Sequence, residues 1–271
     1  MAGVTVQRPM VRIAGGDRNH GFDTLVAEEP LEIRIGGEPV AVTMRTPGND
    51  FELAAGFLLT EGVVARGDQI LEIRYCVDDE PQQYNVLSVA IAADAPGTAA
   101  SGFRNFTTTS SCGLCGKATI DDVRQRASFD VAVDELRVSA AKLRGLPEAL
   151  RDSQQVFERT GGLHAAGLFD AEGSLVCLRE DIGRHNAFDK VIGWAATHGR
   201  LPLTGHVMLA SGRASFELVQ KALLAGAPVL AAVSAPSSLA VELAEQSGMT
   251  LVAFLRDDTM NVYAGAERVI D

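Results

Sequence analysis

Cysteine is scarce in this chain, with four in 271 residues. That is too few to staple a fold with disulfides and suits a reducing, cytoplasmic setting in which thiols stay free for chemistry. No run of 18 apolar residues occurs, so no membrane-spanning helix is expected. The first ten residues lack the basic-then-apolar order of a secretion signal. Positive charge is short as well: 24 Lys and Arg stand against 35 Asp and Glu, a net charge of −11. A field of that sign works against general binding of a nucleic-acid backbone but leaves room for one basic cleft. Also missing are a solenoid-length repeat, the phosphate loop ending Gly-Lys-Ser/Thr, a Gly-x-Gly-x-x-Gly dinucleotide fingerprint, and the His-x-Glu plus Pro-Cys-x-x-Cys set of zinc deaminases.

What is present is an ordinary globular balance, 46% hydrophobic and 22% charged residues, in a length that accommodates one large core or two modest domains. Residues 1–136 read as a small, strand-rich α+β unit. Leu31–Ile35 alternates, Gly36-Gly37 turns it back, and Pro39–Met44 completes a hairpin. Asn49 or Asp50 is expected to cap a helix over Leu53–Leu59 that Gly62 ends. Strands follow at Ile70–Cys76 and Tyr84–Ala92. A polar stretch of small residues, about 96–118, then carries Cys112-Gly-Leu-Cys115 on an exposed connection.

Residues 137–271 read as a layered α/β domain. Ser139–Phe157 is helical but is expected to break at Gly145-Leu-Pro147. Leu163–Phe169 and Ser174–Leu178 form a hairpin, and Asn186–Ala196 a helix. Strands at His206–Ala210, Pro228–Ser234 and Thr250–Leu255 then alternate with helices at Ser215–Ala225 and Ser237–Gln246.

Cys112 and Cys115, three positions apart and flanked by Gly113 and Gly116, can serve a disulfide, a metal or persulfide transfer. The glycines leave both sulfurs open, and attack on sulfur needs the thiolate, which Lys117 would favour. A structural zinc site needs four Cys or His ligands, and no second Cys-x-x-Cys exists. Cys76 and Cys177 sit singly in apolar strand patterns, and His164 and His185 belong to the other domain. A thioredoxin-like role expects the pair to open a helix just after a strand, which the surrounding sequence does not do. Spacing alone keeps the carrier, metal, redox and inert readings open.

In the second domain the strands end in polar groups: Glu180-Asp-Ile-Gly-Arg-His185, Ser211-Gly-Arg213, Ser234-Ala-Pro-Ser237 and Arg256-Asp-Asp258. With mostly parallel strands, these ends line the ligand crevice of an open sheet, where helix N-termini favour anions. Arg184 and Arg213 then offer paired donors to phosphate, each charge-assisted bond worth roughly 1.5–3 kcal/mol. Gly183 and Gly212 would admit a bulky ligand. The alternative is that both arginines pair with Glu180, Asp181 or Glu217. Lys190 either reaches a phosphate or covers an apolar face, and Asp189 reads as structural. His164, among small neighbours, either serves a ligand or a proton transfer, or is an ordinary interior histidine. Phe254 would contact a base, Arg256 a phosphate, and Asp257 or Asp258 the donors of a guanine edge.

Taken in order, Ser111-Cys-Gly-Leu-Cys-Gly116, Gly161-Gly-Leu-His-Ala-Ala166, Glu180-Asp-Ile-Gly-Arg-His-Asn-Ala-Phe-Asp-Lys190 and Ser211-Gly-Arg213 resemble the formate dehydrogenase accessory sulfurtransferases, the FdhD family. Ser234-Ala-Pro236 and Phe254-Leu-Arg256 extend the resemblance, which runs from about Glu28 to Gly265. It implies a cytidine-deaminase-like, three-layer α/β C-terminal domain without the zinc machinery, and a homodimer. It implies that Cys112 carries a persulfide, with Cys115 its partner and a cysteine desulfurase the sulfur donor. The acceptor would be the molybdenum cofactor in its bis-guanine-dinucleotide form, before insertion into formate dehydrogenase. Phe254, Leu255, Arg256, Asp257, Asp258 and Thr259 match the family's cofactor segment. Arg184, His185, Lys190, Ser211, Gly212, Arg213 and His164 would complete the pocket, which a guanine nucleotide such as GDP would also occupy. A chaperone that binds the cofactor without carrying sulfur is the second reading, and a zinc or thiol-redox protein the third.

Overall fold

The chain opens with an antiparallel ribbon that has no counterpart among the sequence expectations. Strands β1 (Thr5–Ala14) and β2 (Asp17–Val26) turn at Gly15-Gly16, both at positive φ. Nearly all of the ribbon is exposed, so no buried face imposes alternation on it, and Pro9 and Gly21 dilute its strand signal further. The computed structural model describes residues 3–76, 84–98, 106–107, 123 and 127–271.

Next comes a five-stranded sheet in the order β5-β6-β3-β4-β7, built from β3 (Glu29–Ile35), β4 (Glu38–Arg45), β5 (Ile70–Tyr75), β6 (Val86–Ile91) and β7 (Phe106–Thr107). The β3–β4 hairpin turns at Gly36-Gly37 as expected. Helix α1 (Asp50–Thr60) follows β4, but the expected cap is not formed. Asn49 is left-handed (φ 56°) and its side chain caps nothing, while Asp50 turns inward to meet Arg45 at 3.0 Å. Arg45 is 1% exposed, and a buried guanidinium needs a counter-charge more than a helix end needs a cap.

Helix α2 (Ala140–Asp152) corrects a second expectation. It runs unbroken through Gly145 and Pro147, and a separate short helix, α3 (Gln155–Thr160), follows. Leu143, Leu146 and Leu150 all lie on the buried stripe, so packing outweighs the loss of one backbone hydrogen bond at Pro147.

The remaining strands form a six-stranded sheet in the order β10-β9-β11-β12-β13-β14: β9 (His164–Phe169), β10 (Leu175–Asp181), β11 (Val207–Ala210), β12 (Val229–Ala232), β13 (Thr250–Arg256) and β14 (Thr259–Ala264). A short parallel pair, β8 (Val138–Ser139) with β15 (Val269–Ile270), ties the chain end to the start of α2. Strand alternation sends Ala165, Phe169, Val207, Leu209, Val229, Ala231 and Val252 to one face, beneath α2. Ala166, Leu168, Met208, Ala210, Leu230 and Ala232 go to the other, beneath α4 (Arg184–Thr197), α5 (Phe216–Leu224) and α6 (Ser238–Ser247). The described residues thus show a mixed α/β structure with six helices and several sheets. None of these helices is long and apolar enough to cross a membrane.

Helix α1 joins the two halves by lying directly on α4. A Cβ added to Gly56 would sit 1.9 Å from the Asp189 carbonyl oxygen, and one added to Gly193 would sit 1.8 Å from that of Glu52. Beside this crossing, Lys221 is buried and bonded to both Asp189 oxygens and to Thr60, so Asp189 is structural as expected.

Candidate functional site

The six-stranded sheet is not simply parallel. β11, β12 and β13 run together, while β9 is antiparallel to both β10 and β11 and so slots in reversed between two strands of the same direction. That inversion brings the first residue of β9, His164, to the edge where β10–β13 end, opposite Asp181. A row of backbone contacts then crosses the edge. Ala165 N–H donates to Ser211 Oγ (2.9 Å), and Ser211 N–H donates back to the Ala165 carbonyl (3.0 Å). Ser234 N–H reaches the Gly212 carbonyl (3.1 Å), and Phe254 N–H the Ser234 carbonyl (3.2 Å). A Cβ at residue 212 would lie 3.5 Å from His164 Nδ1, so glycine there keeps the space above the imidazole open.

Helix α4 opens onto this edge from Gly183, which offers no side-chain cap, and its first turn begins with Arg184 and His185. The Nε of Arg184 is buried with no hydrogen-bond partner among the described residues. Among those residues neither Arg184 nor Arg213 forms an ion pair, which overturns the alternative in which both are neutralised. The three carboxylates named for that role are engaged elsewhere. Glu180 accepts from the Val156 and Phe157 amides that begin α3, Asp181 holds Lys190, and Glu217 holds His185 at 2.6 Å. Arg213 and Arg256 are exposed, the latter with its guanidinium carbon 5.8 Å from the Phe254 ring centre.

The local field is positive. Burial, joined by the charges of Arg184 and His185, pushes the His164 pKa below its ordinary value. Glu217 moves the other way, its carboxyl held below the usual range by the hydrogen bond from His185. Guanidinium groups with no ion pair among the described residues, a helix start with no side-chain cap and an imidazole of lowered pKa are an arrangement suited to an anion.

Two expected ligand contacts are corrected. Lys190 is 1% exposed and its ammonium is spent on Asp181 (2.7 Å) and the carbonyls of Thr46 (3.0 Å) and Glu180 (3.2 Å), leaving no proton for a phosphate. Leu255 is fully buried. Its neighbour Phe254 is left-handed (φ 52°) at a bulge between Ala253 and Arg256, which shifts the strand parity by one residue. Val252 and Leu255 consequently face the same core, and the Phe254 ring is left half-buried at the edge. Asp257 and Asp258 form the exposed β13–β14 turn, with Asp257 also left-handed (φ 51°), and Thr259 Oγ1 donates to the Arg256 carbonyl.

Cys112 and Cys115, with Lys117, lie outside the described residues. Of the two single cysteines, Cys76 is half-buried and Cys177 buried, with a thiol pushed up by burial to about 11. Thr46 acts at the site although no motif contains it, Asn186 acts there although its motif was given no role for it, and Glu217, expected only as a partner for the arginines, holds His185 instead. Asn186 donates to the Met44 carbonyl (2.8 Å) and to Asp181 (3.0 Å), partners far apart in sequence.

Residues 26–270 match the model of the FdhD/NarQ family. The chain is 56% identical over 269 residues to a protein of Mycolicibacterium paratuberculosis named sulfur carrier protein FdhD, covering 98% of this chain and 99% of that one. It is 58% identical over 253 residues to the protein of that name from Mycobacterium tuberculosis, covering 91% and 92%. A solved structure of a chain described as a formate dehydrogenase accessory protein, from Desulfotalea psychrophila, aligns with TM-score 0.75 at 25% identity, covering 99% of this chain and 100% of that one.

Proposed function

The chain belongs to the FdhD/NarQ family, and we propose that it is a sulfur carrier serving formate dehydrogenase, with Cys112 as the carrying thiol and the crevice at the sheet edge as the seat of the acceptor. The observation that carries this reading is the convergence of Arg184 and Arg213, neither in an ion pair among the described residues, on the edge that also holds His164 and Phe254. Such a set suits the two phosphates and base of a guanine nucleotide, the handle of the molybdenum bis-guanine-dinucleotide cofactor. GDP would fill the same place.

The Cys112 thiolate attacks the outer sulfur of a cysteine desulfurase persulfide. A new S–S bond forms on Cys112, the old one breaks, and the desulfurase thiolate leaves. The crevice would hold the cofactor by its nucleotide end while the S–S bond of the Cys112 persulfide breaks, the outer sulfur leaving either as sulfide, when the Cys115 thiolate takes the inner sulfur into a disulfide, or as neutral sulfur taken up by an acceptor reduced by two electrons, with Cys112 left as its thiolate, before the cofactor enters formate dehydrogenase. Cys115 has two available roles: expelling the sulfur by forming a disulfide with Cys112, or holding the carrier segment in place. Transfer by Cys115→Ser separates them.

We further infer a cytidine-deaminase-like arrangement of the C-terminal half, a homodimer, and action in the cytoplasm. The three layers over the six-stranded sheet support the first. Exposed Val11, Ile13 and Phe22 on the β1–β2 ribbon support the second, since a two-stranded ribbon alone is marginally stable and gains by being covered.

The test is intact-protein mass analysis after incubation with a cysteine desulfurase and cysteine. A labile gain of about 32 Da, the mass of one sulfur, on the wild type and not on Cys112→Ala is expected from persulfide chemistry. No gain on reduced, folded wild type removes the carrier role. Full formate dehydrogenase activation by Cys112→Ala would favour the cofactor-binding chaperone instead.

A further inference from the structure

Behind the crevice rim lies a charge pair that the proposed transfer does not use. Asp181 is 0% and Lys190 1% exposed, and they meet at 2.7 Å. The Asp181 carboxylate also accepts from the backbone N–H of Thr46 (3.1 Å) and Gly183 (2.8 Å) and from Asn186 Nδ2 (3.0 Å). The Lys190 ammonium donates in addition to the carbonyls of Thr46 (3.0 Å) and Glu180 (3.2 Å). Around them, Thr46 Oγ1 accepts from Ile182 N–H (3.1 Å), and Asn186 accepts from Thr43 Oγ1 (3.3 Å).

This knot ties together three places. One is the end of β10, where Asp181 is the register partner of His164. The second is the start of α4, where the Gly183 bond sets the turn that presents Arg184 and His185. The third is the end of β4, and β4 carries β7 on its free side, parallel, with Ala41 opposite Phe106 and Val42 opposite Thr107. β7 therefore heads in the direction of Met44 and Thr46. Cys112 follows Thr107 by five positions, a covalent reach of at most about 18 Å.

Stability alone is a poor reason for such a pair, because the cost of desolvating two buried ions cancels most of their attraction. What a fully satisfied network supplies is one geometry and no other. We propose that Asp181 and Lys190 are positioning residues for sulfur delivery, fixing the strand that leads into the carrier cysteine against the crevice that seats its acceptor. This role rests on the sulfur-carrier function proposed above.

The test uses the full-length chain carrying Asp181→Asn together with Lys190→Met, which leaves no lone buried charge. Three quantities are measured: persulfide loading of Cys112 by mass, GDP affinity by calorimetry, and the maximal rate of formate dehydrogenase activation. Loading should stay within about threefold of wild type, and so should GDP affinity, because the amide oxygen of Asp181→Asn can still accept from Gly183 N–H, while activation falls at least about tenfold, because a misplacement of about 1 Å costs up to two orders of magnitude in rate. Activation unchanged with the other two intact overturns the role. Should all three quantities collapse, Thr43→Val, which removes the bonds of its hydroxyl to Asn186 and to the Met44 carbonyl and leaves both buried charges in place, decides. A selective loss in activation supports positioning, and none overturns it. A wild type that takes no persulfide or no GDP overturns the proposed function, and this role with it; a double variant that behaves as wild type overturns this role alone.

Discussion

The Nε2 of His185 lies 2.6 Å from a carboxylate oxygen of Glu217, across the gap between the first turns of α4 and α5. Ser215 Oγ stands 3.5 Å from the same nitrogen. The bond holds Glu217 ionised to a lower pH than an ordinary glutamate. Its contribution to stability is therefore complete above the unfolded carboxyl pKa, about 4.3, and is lost as pH falls through the lower native value. Glu217→Gln should cost about 1 kcal/mol at neutral pH, with the difference from wild type shrinking in acid. Urea unfolding of both proteins at pH 7 and near pH 3.5 checks this, and a pH-independent difference would refute it.

His164 titrates in the opposite sense. Its native pKa is lowered, chiefly by burial, so below the unfolded value of about 6.5 the unfolded chain takes up a proton that the native one refuses. Stability should decline as pH falls from there towards the native value and be unaffected above it. His164→Asn should flatten that decline in urea titrations between pH 5 and 7.5. GDP, by bringing negative charge close, should raise the His164 pKa, so its binding below pH 6.5 should take up protons, visible as a calorimetric enthalpy that varies with the buffer. Identical enthalpies across buffers would place His164 away from the anion.

Arg184 and Arg213 break no ion pair among the described residues when removed. Each change to alanine should leave the melting temperature within a few degrees while weakening GDP binding by tenfold or more, the loss of one charge-assisted bond of about 1.5–3 kcal/mol. Arg→Lys should recover only part, since a point charge replaces a fork. Calorimetry on melted-and-matched samples separates the two effects; equal GDP affinity in Arg184→Ala would remove that residue from the site.

Phe254 and Leu255 should part company although they are neighbours. Leu255→Ala empties a fully buried position and should cost about 2–5 kcal/mol, with GDP affinity unchanged where the protein is folded. Phe254→Ala removes a half-buried ring at the edge and should weaken GDP binding more than it destabilises. Chemical denaturation and calorimetry on both variants check the split, which a reversed pattern would contradict.

Much of this was legible in advance where neighbours in sequence decide the outcome. Gly36-Gly37 and Asp170–Gly173 marked hairpins that formed, and the polar groups after β10, β11 and β12 did gather at one edge. The cap at Asn49, the break at Pro147 and the roles of Lys190 and Leu255 came out differently, each for a reason seated elsewhere in the chain. Arg45 drew Asp50 inward, three leucines kept α2 continuous, and a bulge at Phe254 reversed which side of β13 faced the core.

The sequence by itself determined the alternation of strands and helices, the turns, and an ordered set of motifs, because backbone preference and hydrophobic period act over a few residues. Only the tertiary structure decided that β9 enters the sheet reversed and delivers His164 to the edge where β10–β13 end, that Lys190 points inward, and that the Arg184 Nε has no hydrogen-bond partner among the described residues. Those outcomes depend on partners such as Thr46 and Asp181, 135 positions apart, which meet only after the sheets have packed and the buried charges of Asp181 and Lys190 have found each other.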